Sequence, residues 1–348
     1  MRLLVTGGAG FIGSNFVRYL LGSRKDVELL NLDKLTYAGN LENLSDVAAD
    51  PRYRFVRADI GDAEALSALL RDGADAIVNF AAETHVDRSI EEAAPFLLTN
   101  IVGTHTLLEA ARKHHVPLFV QIGTDEVYGS APPGESFTEQ RILDPRSPYS
   151  ASKAAADHLV NAYACTFGLR AVIVRCTNNF GPYQFPEKLI PLMIANAMEN
   201  RPIPVYGDGM NERDWLYVED FCRAIARVLE AGEAGEIYNV SAGTPRANLD
   251  VIRVLLSALG KPESLIQFVA DRPGHDRRYA LDSSKLRKQL GWQPQVSFEE
   301  GIRRTIAFYI QNSEWLKRTR SGEYRQYYER HYARRNELLK NLSGTASE

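Results

Sequence analysis

Two clusters of residues in this 348-residue chain combine side chains suited to moving protons. The stretch LFVQIGTDEVYG, residues 118–129, runs through apolar residues and then sets Thr124, Asp125 and Glu126 in a row. Adjacent carboxyls leaving a strand can point at neighbouring atoms of one bound molecule. One can give a proton and the other take one, if their surroundings push their pKa values apart, with the protonated member in the less solvated position. In SPYSASK, Tyr149 and Lys153 stand four residues apart, which places them on one face of a helix. An ammonium near a phenol favours the phenolate, so this spacing predicts a tyrosine of lowered pKa working as a general base. Taken alone, that pair reads first as a buried tyrosine beside a solvated lysine, and most Asp-Glu pairs are loop carboxylates in water.

A third feature tips the balance. TGGAGFIGS places Gly7, Gly10 and Gly13 directly after an apolar run and at the start of a helical pattern. Such glycines allow a tight turn and close approach of backbone to a pyrophosphate, with helix N–H groups as donors. Asp33 ends the next apolar run, 20 residues past Gly13, where an acid accepts hydrogen bonds from an adenosine ribose. A free 2′-hydroxyl is favoured there over a phosphate, which points to NAD rather than NADP, with Lys34 next door as the counter-signal. Asp59, at the end of RFVRAD, is placed to face the adenine; the alternative role of helix cap fits Asp62 better.

From Arg2 to about Arg175, short β-branched runs alternate with segments of helical period, predicting a doubly wound parallel sheet covered on both faces. The helix carrying Tyr149 and Lys153 is expected from Pro148 to Phe167, capped by Ser147 and stopped by Gly168. After Arg175 the texture turns rich in Asn, Pro and aromatics, which suggests a smaller second lobe. EIYNVSAG, residues 236–243, reads as a strand returning to the first sheet. The division expected is 1–177, completed by 214–242, and 178–348. Met193 and Met198 read as core filling, and the charged, aromatic last thirty or so residues as a solvated helix or tail.

Composition sets outer limits. At 45% hydrophobic and 24% charged the chain can bury a large core, and a net charge of -3 gives no general reason for nucleic acid to bind. Cys165, Cys176 and Cys222 form neither a Cys-x-x-Cys pair nor a Cys/His array, so no metal site or disulfide framework is expected. A reducing cytoplasm is the simplest setting. The N-terminus lacks signal-peptide features, and no segment is apolar enough to span a bilayer, so neither export nor a membrane partner is expected.

With TGxxGxxG and YxxxK in these relative positions, the chain resembles the extended short-chain dehydrogenase/reductases. NLDKLTYAGNLENL, AAETHVDRSI, GTDEVYG, SPYSASKAAADHLV, NNFGPYQFPEKLIPLMI, RDWLYVED and DRPGHDRRYA together are similar to the nucleotide-sugar 4,6-dehydratases within that family. The family stretch usually reads Ser-Thr-Asp-Glu, whereas Gly123 stands here before Thr124. The resemblance implies Asp125 as acid, Glu126 as base, and Tyr149, aided by Thr124 and Lys153, as the group that deprotonates a sugar hydroxyl. For NAD it implies Gly7, Gly10, Phe11, Ile12 and Gly13, then Asp33, Lys34, Thr36, Asp59 and Ile60. Ala81, Ala82, Thr99, Tyr149, Lys153 and Asn179 complete that set. Around a sugar nucleotide it implies Thr84, Thr124, Asn178, Lys188, Leu189, Pro204, Tyr206, Arg213, Asn248, Asp271, Arg272 and His275. Arg213 and Arg272 suit a diphosphate because guanidinium forks pair with phosphate oxygens. The resemblance also implies a homodimer joined through helices near Pro95–Lys113 and Pro148–Phe167. A nucleotide-sugar 4-epimerase shares the Tyr/Lys pair, and a non-catalytic NAD-sensing protein shares the fold. The nucleotide base and the hexose stay open.

Overall fold

The computed structural model describes residues 1–320 and 323–328. In chain order, β1 (Arg2–Thr6) leads into α1 (Phe11–Ser23), then β2 (Glu28–Asp33), β3 (Tyr53–Arg57), α2 (Ala63–Leu69) and β4 (Ala76–Asn79). Next come α3 (Val86–Glu91), α4 (Ala94–Phe96), a π-helical segment at Leu97–Gly103, α5 (Thr104–Lys113) and β5 (Phe119–Thr124). A 3-10 turn, Asp125–Tyr128, leaves β5, and α6 (Pro148–Phe167) leads to β6 (Ala171–Cys176). Beyond it lie β7 (Asn178–Phe180), α7 (Leu189–Met198), β8 (Ile203–Tyr206), β9 (Glu212–Tyr217), α8 (Val218–Ala231) and β10 (Ile237–Val240). The remaining elements are β11 (Pro245–Ala247), α9 (Asn248–Ala258), β12 (Ile266–Val269), α10 (Ser284–Leu290), α11 (Phe298–Gln311), α12 (Ser313–Thr319) and α13 (Glu323–Tyr328).

Seven strands form one parallel sheet in the order β10-β6-β5-β4-β1-β2-β3. Side chains alternate along each strand, so both faces must be covered for the apolar runs to be buried. In β1, Leu3 and Val5 enter a core shared with α1, α8 and α10, while Leu4 enters a second core with α2, α5 and α6. The segment 236–243 returns to the sheet as β10 beside β6. A third core, built on Phe180, Ile190, Ile203, Trp215, Ile252 and Tyr309, holds the small sheets β11-β9-β7 and β12-β8 together. Met193 is buried in it and Met198 packs against it.

The helix over 148–167 has the expected punctuation. Ser147 accepts from the Ser150 amide at 3.0 Å, Ser150 returns the bond to the Ser147 amide at 2.9 Å, and Gly168 ends the helix with a left-handed φ of 69°. Replacing Ser147 with alanine is expected to lower stability by about 1 kcal/mol, read by urea denaturation. Asp62 caps α2 by accepting from the Glu64 and Ala65 amides. The charged C-terminal stretch is not all solvated: Tyr324 is buried and donates to the Pro186 carbonyl at 2.9 Å. The rest of that expectation, past Tyr328, lies outside the described residues.

Candidate active site

The strand order reverses at β1, flanked by β2 and β4, and a crevice opens there beyond the carboxyl ends of the strands. A cavity of about 290 Å³ fills it. All sixteen residues expected to hold NAD line this cavity: Gly7, Gly10, Phe11, Ile12, Gly13, Asp33, Lys34, Thr36, Asp59, Ile60, Ala81, Ala82, Thr99, Tyr149, Lys153 and Asn179. Gly7 has φ 69°, and a Cβ there would lie 2.6 Å from the Ala81 nitrogen. At Gly13 a Cβ would lie 2.3 Å from the Gly7 carbonyl oxygen, so the turn and the start of α1 pack backbone on backbone. α1 opens at Gly10 without a side-chain cap. Asp33 accepts from the Ala9 amide at 2.9 Å and the Leu35 amide at 2.8 Å, one on each carboxyl oxygen. Each oxygen keeps a second lone pair for a ribose hydroxyl. Lys34 is drawn onto Asp59 at 2.6 Å, which leaves the rim with little net positive charge to attract a 2′-phosphate. These residues fit NAD. Gly13→Ala is expected to weaken NAD binding about tenfold or more, because overpacking against backbone costs about 1–3 kcal/mol; isothermal titration checks it.

At the inner end, Thr124 closes β5 and caps the following turn, its Oγ1 accepting from the Glu126 amide at 3.3 Å and donating to Asp125 Oδ1 at 3.2 Å. Asp125 is buried, and its Oδ2 has no hydrogen-bond partner. Burial first, and then the neighbouring Glu126 charge, push the Asp125 carboxyl well above the usual carboxylate range. Burial also raises Glu126, but Arg272, Arg213 and Lys188 pull it back toward the ionised form. Both carboxyls are thus raised, and the cations oppose the rise chiefly at Glu126.

Tyr149 and Lys153 come together on the first turns of α6, both buried. The expected lowering of Tyr149 is not what the structure holds. Burial first, and then the Glu126 charge, raise the phenol well above its ordinary value, with a Thr124 hydrogen bond acting the other way. The Lys153 ammonium donates to the Ile122 carbonyl at 2.7 Å and is itself pushed down by burial. A shared helical face does not set depth, and depth dominates here.

A second cavity, about 170 Å³, adjoins the first. Thr84, Asn178, Lys188, Leu189, Pro204, Tyr206, Arg213, Asn248, Arg272 and His275 line it. Thr124 lines only the first, and Asp271 lines neither. Asp271 instead backs His275, whose Nδ1 is 2.6 Å from its Oδ1. Burial and the Arg272 and Arg213 charges, against the pull of Asp271, push His275 down to about 4. Arg213 lies over the Tyr279 ring at 4.1 Å and donates to the Asp276 carbonyl at 2.9 Å. Arg272 Nε and the side-chain oxygens of Asn178 and Asn248 are buried without partners, a donor and acceptors available to a polar ligand. Thr84, Glu126, Asn178, Glu187 and Lys188 line both cavities, so Glu126 sits at their junction.

Among the described residues no cluster of three or more His, Cys, Asp or Glu has metal-holding geometry, and no helix is long and apolar enough to cross a membrane.

Residues 4–305 match a family model described as GDP-mannose 4,6 dehydratase. The chain is 49% identical over 358 residues to a dTDP-glucose 4,6-dehydratase of Shigella flexneri, covering 95% of this chain and 99% of the relative. The chain belongs to the nucleotide-sugar 4,6-dehydratase family. A dTDP-glucose 4,6-dehydratase of this family from Streptomyces venezuelae, solved with NAD and dTDP bound, superposes with a TM-score of 0.89 at 52% identity, covering 92% of this chain and 100% of that one. UDP-glucose 4-epimerase from Thermus thermophilus, in complex with NAD, is more distant, with a TM-score of 0.83 and 35% identity over 90% of this chain and 100% of that one.

Sequence reasoning about the 4,6-dehydratase site missed His85, Asp87, Glu187 and Tyr279. Glu187 accepts from Tyr37 at 2.8 Å and lies 3.4 Å from Arg88 Nε, bracing the wall between the cavities. Asp87 lies 4.0 Å from Arg272. For Glu187 the usable signal was a charge inside the otherwise apolar FPEKLIP, where an ionisable group is retained only with a partner or a ligand; His85, Asp87 and Tyr279 have no such signal.

Proposed function

We propose that this chain converts dTDP-glucose to dTDP-4-keto-6-deoxyglucose, with net loss of one water and bound NAD unchanged overall. The observation that carries the reading is the placement of a raised, buried Asp125 beside Glu126 where the two cavities meet. NAD held by the residues of the first cavity would supply the hydride acceptor and donor for the hexose, and its positive charge there would favour the Tyr149 phenolate. Tyr149 takes the O4 proton, with Thr124 holding its hydroxyl. The resulting C4 ketone acidifies the C5 hydrogen; Glu126 removes it while Asp125 protonates the C6 oxygen, and water departs. Glu126 then gives its proton to C5, and exchange with solvent returns Tyr149 and Asp125 to their starting protonation states. Lys153 anchors the nicotinamide ribose, and Arg213 and Arg272 hold the diphosphate. Residues 1–177 with 214–242 serve as the cofactor unit and 178–348 as the sugar-nucleotide unit.

A 4-epimerase needs hydride transfer at C4 but no elimination pair, so a second carboxyl held toward its protonated form beside Glu126 has no task in it. A panel of dTDP-, UDP-, CDP- and GDP-hexoses, followed by mass spectrometry, tests the reading. Loss of 1 water from dTDP-glucose, ahead of the other nucleotides, is expected; a C4 epimer of unchanged mass would overturn it. The reading extends to a homodimer in the cytoplasm. Exposed Leu97, Leu98 and Val102 on the π-helical segment and Phe167 at the end of α6 offer an apolar face for a second copy.

A further inference from the structure

Behind the proton-transfer turn, on the α6 face of the sheet, lies a connected polar group. Gly123, Arg175 and Asn239 are in register across β5, β6 and β10, so their side-chain positions share one face. Arg175 Nε donates to Asp157 Oδ2 of α6 at 2.8 Å, and its Nη1 donates to the Tyr128 hydroxyl at 2.7 Å. That hydroxyl donates in turn to Asn239 Oδ1 at 2.9 Å, and Asn239 Nδ2 donates to the Phe137 carbonyl at 3.0 Å. Asp157, Arg175, Tyr128 and Asn239 are all buried, and none lines either cavity. They lie behind the cavities, and Tyr128 is the last residue of the turn that begins at Asp125. Gly123 leaves room for the arrangement: a Cβ there would lie 3.0 Å from Arg175 Cγ and 3.4 Å from Asp157 Oδ1. Asp157 is also one helical turn beyond Lys153, where its charge opposes the burial that pushes the ammonium down.

A buried ion pair costs desolvation energy, and an apolar replacement can match its stability, so stability alone is a weak reason to keep one here. Its geometric effect is specific: it fixes the far end of the turn from two strands and a helix. We propose that Asp157, Arg175 and Tyr128 are positioning residues for water elimination, holding Asp125 and Glu126 against the C6 and C5 atoms of the hexose. The proposal rests on the dehydratase reading. Tyr149, on α6 itself, carries the C4 step and depends less on this turn.

The experiment compares Tyr128→Phe and Asn239→Leu, which removes the acceptor of the Tyr128 hydroxyl, with the unaltered holoenzyme on dTDP-glucose. Both substitutions are close in shape to the native residue, and Tyr128→Phe keeps the ring facing Arg175. Elimination is expected to slow about 10- to 100-fold, the effect of a misplacement of about 1 Å, with KM within about twofold. Reduced nicotinamide should accumulate in a single turnover, because C4 oxidation continues. In the cofactor-free protein, hydrogen exchange at the Val127–Gly129 amides should quicken relative to β1. Lower melting temperature with unchanged kcat, or equal slowing of both steps, would make the group merely structural and overturn the proposal. Failure of the unaltered protein to release water would remove the dehydratase reading and this proposal together, and that control is run in parallel.

Discussion

Asp125→Asn is expected to slow water loss by about 10²- to 10⁴-fold while leaving NAD binding and C4 oxidation in place. Asparagine keeps the shape and can accept the bond from Thr124 Oγ1, but it has no proton to give the C6 oxygen. Stability should move the other way. The folded Asp125 pKa is raised by burial and by Glu126. Protonation of such a group favours the folded state, so its contribution is fully present below the unfolded carboxyl value of about 3.9 and is lost as pH rises through the raised folded value. The variant has no such loss. Urea denaturation from acid to mildly alkaline pH should therefore show the variant gaining on the native protein as pH increases from about 4. A variant that loses ground over that range would mean that Asp125 is ionised and well paired, and unfit as the acid.

Glu126→Gln removes the base and should cut product formation by a similar factor, about 10²- to 10⁴-fold, while C4 oxidation remains detectable as reduced nicotinamide. Burial raises its carboxyl, and Arg272, Arg213 and Lys188 offset part of that rise. On the acid side, rate should fall as Glu126 takes up a proton; on the alkaline side, it should fall as Asp125 gives one up. The two groups interact, so the limbs of this bell report the pair rather than either residue. Glutamine at 126 should abolish the acid limb. Turnover that is unchanged in Glu126→Gln would favour the epimerase reading.

Much of the scaffold could be read from residues because the central strands are buried on both faces. β1, β2, β4, β5 and β6 must then be short apolar runs, and the punctuation between them, the glycine turn, Ser147-Pro148 and Gly168, has specific backbone uses. The first cavity was legible for the same reason: its lining comes from strand ends and the glycine turn, whose positions follow from the sheet. The second cavity draws two or three residues each from α3, α7, β8, β9, α9 and the segment 272–279, which share no common period. Asp87, Glu187 and Tyr279 escaped notice there, and Asp271 was placed one step too close, since it meets His275 rather than the cavity. Tyr149 lines the first cavity, and its phenol is raised where the helix spacing alone predicts a lowering. Its spacing from Lys153 gives direction, whereas the raised phenol follows from depth and from Glu126, which is remote in sequence. The π-helical turn at Leu97–Gly103 has no sequence period of its own to announce it.

The central claim is that one hydride leaves C4 of the hexose and returns to C6 of the same molecule while water is lost between. The direct test supplies dTDP-glucose carrying deuterium at C4 and locates the label in the product. Deuterium at C6 is the result this mechanism requires. Deuterium released to solvent, or still at C4, would contradict it.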